Sequence, residues 1–200
     1  MLDVPFFRRP PPALKGETVF LRGPVMSDHA EWAALREESR NFLVPWEPSW
    51  AFDELSRSAF RHRLRRYRSE YDNGTGVSFF VFDAGTGALA GGITMSNIRR
   101  GVAQTASIGY WMGERYAGRG MMLAAVRLII PFAFETLRLH RLEAACIPNN
   151  KRSVGLLEKA GFQREGLLRS YLRINGSWRD HCLYALVAEE RHVPALETRG

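Results

Sequence analysis

The sequence predicts a single α/β domain built on a largely antiparallel sheet. Three observations carry this reading. A helical period in the first third gives way to strand-like apolar runs from residue 77 onwards. Turn signals at 83–87, 99–101 and Asn175-Gly176 separate those runs at hairpin lengths. Two further helical stretches interrupt the strands, giving the order β-α-α-β-β-β-α-β-α-β-β. The length of 200 residues suits one domain with a substantial core.

Each element has its own warrant. Residues 1–16 are rich in proline and read as a flexible leader. "TVFLRG" (18–23) is a first strand. Asp28 with Glu31 has capping-box spacing and starts a helix running to about Ser39. "NFLVPWEPSW" (41–50) is irregular because of its prolines at 45 and 48. Residues 53–71 repeat Leu55, Ala59, Phe60, Leu64, Tyr67 and Tyr71 on one helical face, and Asn73-Gly74 stops them. Strands follow at 77–82, 88–98 and 104–112. A helix spans 119–136, with Pro131 kinking it or marking its last turns. A strand at 141–147 and a helix at 151–159 precede two long strands, 162–174 and 177–187. The domain covers 17–190, and 191–200 read as a tail.

Composition narrows the class. The chain is 46% hydrophobic and 24% charged, which is ordinary for a globular domain. Its 28 basic and 21 acidic residues leave a net charge of +7, which favours an anionic partner. Cys146 and Cys182 sit in apolar runs and read as buried thiols, not a disulfide framework. The five histidines show no metal-ligand spacing, so no metal is expected. The start has no signal-peptide pattern, and Met121–Phe134 is broken by Arg127 and too short to span a bilayer. A cytoplasmic location is the expectation.

The stretch "RYAGRGMML" (115–123) carries the first chemical signal. A helix start presents free N–H groups, and Gly118 and Gly120 let an anion approach that backbone closely. Arg115 and Arg119 add positive charge. The pattern is not GxxxxGK[ST], and Leu123 stands where a dinucleotide fingerprint has its third glycine. A pyrophosphate cradle and a flexible strand–helix turn both fit this loop alone.

The run Arg115-x-x-Gly118-x-Gly120 resembles the acyl-CoA pyrophosphate motif of the GCN5-related N-acetyltransferases. "NKRSVGLLEKAGF" (150–162) resembles the next motif of that family. "FLVPWEP" (42–48), "SNIRRG" (96–101), "IGYWMGERYAGRGMM" (108–122), "HRLEAACIPNNKRS" (140–153) and "INGSWRDH" (174–181) look like its RimJ/RimL-type branch, the ribosomal-protein-alanine N-acetyltransferases. The resemblance covers about Thr18 to Val187. It implies a mixed, mostly antiparallel twisted sheet, flanked by helices and splayed between its fourth and fifth strands. Acetyl-CoA is the implied co-substrate and the N-terminal α-amine of a ribosomal protein the implied acceptor.

The same resemblance implies the site. The pantetheine arm would pair with the backbone of Tyr110, Trp111 and Met112. The diphosphate would rest on the amides of Gly118, Arg119, Gly120, Met121 and Met122, beside Arg115. Asn150 would contact the arm, and Lys151 or Arg152 a phosphate. Many family members place a tyrosine acid where this chain has Leu157. A related branch uses a serine matching Ser153, which makes Ser153 the candidate acid. The usual base positions hold Ser107 and Ala145, neither of which is a base. Glu47, Glu143 and Glu165 remain as base candidates. Trp46 and Glu47 lie in the loop that the resemblance places beside the acceptor. Asp180-His181 and His140 read either as groups that orient each other or the chain ends, or as structural residues. The six arginines between 57 and 68 form either a solvated face or a contact for ribosomal RNA or an acidic peptide. Two other functions stay open: acetylation of a small amine, and a basic ribosome- or RNA-binding factor with a non-catalytic acetyl-CoA site.

Overall fold

A computed structural model describes residues 10–190. The first nine residues of the expected leader and the expected tail, 191–200, lie outside the described residues. The sheet contains β1 (Leu14–Lys15), β2 (Val19–Arg22), β3 (Val77–Asp83), β4 (Leu89–Arg99), β5 (Thr105–Met112), β6 (Arg141–Cys146), β7 (Gln163–Ile174) and β8 (Ser177–Val187). Their spatial order is β1-β2-β3-β4-β5-β6-β8-β7. Every neighbouring pair is antiparallel except β5 and β6. The helices are α1 (His29–Glu38), α2 (Arg40–Leu43), α3 (Arg57–Asp72), α4 (Met121–Pro131) and α5 (Lys151–Lys159).

β3 explains the two-sided core. All of Val77–Phe82 is buried, which is why "VSFFVF" shows no alternation. Successive side chains leave opposite faces of a strand. Phe80 therefore meets Phe60 of α3 at 6.3 Å, while Phe79 meets Phe132 edge-on at 5.6 Å. Trp32 of α1 joins the first layer, its ring tilted against Phe60 with centres 4.8 Å apart. α4 and α5 pack together on the second face.

The splay falls where expected, one strand number later because Leu14–Lys15 adds an edge strand. β5 and β6 pair only at Thr105–Ser107 with Arg141–Glu143. Beyond Ser107, β5 has a neighbour on one side alone, β4, as far as Met112. β6 turns instead to β8 along its whole length.

Several local expectations need correction. Asp28 and Glu31 form no capping box on α1. Asp28 accepts from both terminal guanidinium nitrogens of Arg22, at 2.7 and 2.8 Å, and from the Val25 N–H at 2.8 Å. Glu31 reaches across to accept the Leu89 N–H at 2.7 Å. A buried strand amide and an arginine outbid the helix end for these carboxylates. The 41–50 loop carries two short turns, α2 and the 3-10 turn Val44–Trp46. The helix expected at 53–71 begins at Arg57, where Ser56 caps it by accepting the Ala59 N–H at 3.0 Å. Pro131 ends the α-helix, and the chain widens into a π-turn at Phe132–Thr136. Proline lacks the N–H that the regular ladder needs at this point.

Candidate active site

The splay opens two cavities that touch. The larger, about 450 Å³, runs from the N-terminus of α4 to that of α5. Its lining includes Glu47, Trp111, Met112, Gly118, Gly120, Met121, Met122, Lys151 and Arg152. The smaller, about 330 Å³, lies between β5, β6 and the β7–β8 hairpin. Trp46, Tyr110, Asn150 and Ser153 line both.

The first cavity is built from backbone. Gly120 stands at the N-cap of α4 with φ 76°, and Gly118 has φ 77°. These are left-handed conformations, which favour glycine. A Cβ at either position would meet nothing within 4 Å, so the space in front of the helix start is open. Free amides of the first turn face that space with the positive end of the helix dipole. The unpaired β5 edge, Ile108–Met112, forms the adjoining wall.

Arg115 and Arg119 are not among the residues lining this cavity. Arg115 sits in the short turn Glu114–Tyr116 and donates to Glu38 of α1 at 3.0 Å. Arg119 lies over the Tyr116 ring, 5.9 Å from its centre. Lys151 and Arg152 are the cations at the cavity wall, and Arg152 rests over Phe42 at 4.8 Å.

The junction of the cavities holds a hydroxyl pair. Ser153 Oγ lies 2.8 Å from Tyr110 Oη. Asn150 caps α5 by accepting the Ser153 N–H at 3.1 Å, which fixes the serine at the first turn. Burial pushes the Tyr110 phenol well up, so it stays protonated and able to donate. Leu157 is fully buried, and its aliphatic side chain has no proton to give. Sequence reading used Tyr110 for its backbone alone and missed its hydroxyl. Cys146 lines the second cavity, and burial raises its thiol too. It stands opposite Cys182 across β6 and β8, and both are free thiols.

Glu47 is not free to act as a base. Arg36 donates to its two oxygens at 3.2 and 2.6 Å, and Trp50 Nε1–H donates at 2.8 Å. The Arg36 guanidinium lies 4.4 Å from the Trp50 ring and 5.0 Å from Trp111. The Glu47 carbonyl accepts the Asn175 N–H at 2.9 Å, which ties the loop to the β7–β8 hairpin tip. The other base candidates are also engaged. Arg141 donates to Glu143 at 2.8 Å and to Glu165 at 2.8 Å, and it holds the Glu165 carboxyl below the usual range. Asp180 does not orient His181; it accepts the Ser170 N–H at 2.8 Å across the hairpin. His140 pairs instead with Glu189, at 3.2 Å.

Comparison with known proteins places this arrangement. Residues 18–163 match the acetyltransferase (GNAT) domain model. The chain is 35% identical over 153 residues to the ribosomal protein uS5-alanine N-acetyltransferase of Escherichia coli, covering 76% of this chain and 79% of that protein. It superposes on Mycobacterium smegmatis RimJ, solved with CoA-disulfide, with a TM-score of 0.84 at 33% identity, covering 91% and 88% of the two chains. For the ribosomal-protein-S5-alanine acetyltransferase of Vibrio fischeri the TM-score is 0.82 at 30% identity, covering 88% and 97%. Enzymes of this family use acetyl-CoA as the acetyl donor. A sheet open at β5 and β6, a glycine-lined helix start at the opening and a domain match across most of the chain have one common reading: the protein belongs to the GNAT family and is an N-acetyltransferase.

Proposed function

We propose that the protein acetylates the N-terminal α-amine of a ribosomal protein beginning with alanine, by direct transfer. The carrying observation is the meeting of two cavities at the Tyr110–Ser153 pair. The glycine cradle and the free β5 edge suit acetyl-CoA, which supplies the acetyl group as a thioester. The amides of 118–122, with Lys151 and Arg152, hold the diphosphate. The backbone of Tyr110–Met112 pairs with the pantetheine arm. Ser153, backed by Tyr110, donates a hydrogen to the departing sulfur. Trp46 forms the shared wall against which the acceptor's first residue lies, and Glu47 positions that wall through Arg36. The names of the relatives support a ribosomal acceptor with alanine first.

The acceptor cavity favours an α-amine over lysine. No carboxylate lines it among the described residues. An α-amine titrates near 7.7–8.0 and lysine near 10.4, so lysine requires about 3 kcal/mol more deprotonation at neutral pH. On α3, Arg57, Arg61 and Arg65 carry no ion pair among the described residues and form the face offered to the ribosome. No described helix is long and apolar enough to cross a membrane; a cytoplasmic location follows from the proposed acceptor.

A peptide beginning with alanine and carrying one internal lysine tests the reading. Fragmentation mass spectrometry is expected to find acetyl on the α-amine alone. Acetyl mainly on the lysine, or turnover of small amines with none of the peptide, overturns it.

A further inference from the structure

Glu47, Glu143 and Glu165 each hold an arginine, and no carboxylate among the described residues lines the acceptor cavity. One other side chain in the acceptor cavity can accept a proton. His181 of β8 is 3% exposed and lines that cavity. Its Nδ1 lies 3.0 Å from the Arg179 carbonyl oxygen. A carbonyl only accepts, so Nδ1 carries the hydrogen and Nε2 of the neutral ring carries the lone pair. Nε2 has no hydrogen-bond partner among the described residues. Tyr171 meets the ring edge-on at 5.8 Å and holds its plane.

The strand register gives the position a meaning. Leu183 is the Cα partner of Ala145 across β6 and β8. Cross-strand partners share a face, and so do residues two apart on one strand. His181 therefore stands on the same face as Ala145, displaced by one pleat onto the next strand. Ala145 also lines the acceptor cavity, so the register sets His181 on the same cavity wall.

We propose that His181 is the general base that takes the proton from the acceptor amine, an assignment that rests on reading this site as an amine acetyltransferase. The acceptor enters as the neutral amine, its ammonium proton already left to solvent. Its lone pair forms the N–C bond, Nε2 takes one of the two remaining amine protons, and the C–S bond breaks to release the thiolate, which is protonated from solvent through the Ser153 hydroxyl. The imidazolium then returns its proton to solvent through the cavity mouth.

The titratable and charged groups around His181 are Tyr110 on β5, Cys146 on β6, Tyr171 and Arg173 on β7, and Asp180 beside it. Burial raises both Tyr110 and Cys146, so neither ionises in the acid range.

His181→Asn is the informative variant. Its amide can still donate to the Arg179 carbonyl, but nothing replaces Nε2. Wild-type acceptor class is established first, by turnover of the alanine peptide and of small amines. If only a small amine is turned over, the N-terminal reading fails, and His181 is tested on that amine, which must lose a proton all the same. His181→Asn is expected to lower kcat/KM for the accepted amine about 100-fold at pH 7. The wild-type log profile should rise at acid pH with the slope of two protons, one from the amine and one from imidazole. The variant should rise with the slope of one, and added free imidazole should restore part of the rate. Calorimetric acetyl-CoA binding should stay within about twofold, which shows the variant folded. An unchanged slope and rate in a variant that binds acetyl-CoA overturns the assignment. If the first variant fails to bind, His181→Gln is carried through the same profile, with the same outcomes.

Discussion

The two walls of the active-site cleft are made in different ways. The donor wall, from β5 into α4, is backbone: two left-handed glycines, a helix N-terminus and an unpaired strand edge. The acceptor wall is side chains from separate elements: Trp46 after α2, Tyr110 on β5, Ser153 on α5 and His181 on β8. A backbone site is local, and its requirements appear in a few consecutive residues. A side-chain site is assembled by the sheet, and its members are strangers in sequence. Donor chemistry is therefore the more readable half of this enzyme, and acceptor chemistry the half with more room to vary.

The largest effect is expected on the donor wall. Gly120→Asp puts a side chain, a negative charge and a strained φ into the helix start. Acetyl-CoA binding should fall at least 100-fold by calorimetry, while the folded sheet persists by circular dichroism. Unchanged binding would move the diphosphate elsewhere and break the contrast between the walls.

An intermediate effect is expected at the junction. Ser153→Ala should lower kcat about tenfold or more with KM for acetyl-CoA nearly unchanged, because it removes an interaction needed in the transition state. Tyr110→Phe should do the same. The double variant should fall little further, since the two hydroxyls act as one unit through their 2.8 Å contact. Additive losses would show that they act separately.

The smallest effect on chemistry, and a clear one on stability, is expected at Glu47. Glu47→Gln leaves the buried Arg36 without its counter-ion. Stability should drop by about 3 kcal/mol, the penalty of an uncompensated buried charge. In a chain of this size that lowers Tm by roughly 6–12 °C. The kcat/KM for the peptide should fall only a few-fold, with the shape of the pH profile kept. Loss of an acid limb in this variant, and not in His181→Asn, would reassign the base.

The contrast also orders what was legible beforehand. The β3 run "VSFFVF" announced a strand, and Asn175-Gly176 announced its hairpin, with φ of 44° and 80°. Gly118 and Gly120 marked the helix start because φ near +76° excludes most residues. Arg115 and Arg119 were expected beside the phosphates from the family motif and their charge. That their guanidiniums meet Glu38 and Tyr116 is something no local pattern could reveal. Glu47 was chosen because it sat in the right loop, yet Arg36 reaches it from another helix.

Sequence alone determined the order of β2–β8 and of the four longer helices, the helix start at Gly120 and the presence of Ser153 at the head of α5. These rest on φ preferences, periodicity and hydrogen bonds within a few residues. Tertiary structure decided which carboxylates are consumed by arginines, that Tyr110 Oη meets Ser153 Oγ, and that His181 lines the second cavity with one nitrogen free among the described residues. Each of these depends on distances between strands and helices far apart in the chain. Only the packed sheet, parting after Ser107, brings them into one cleft.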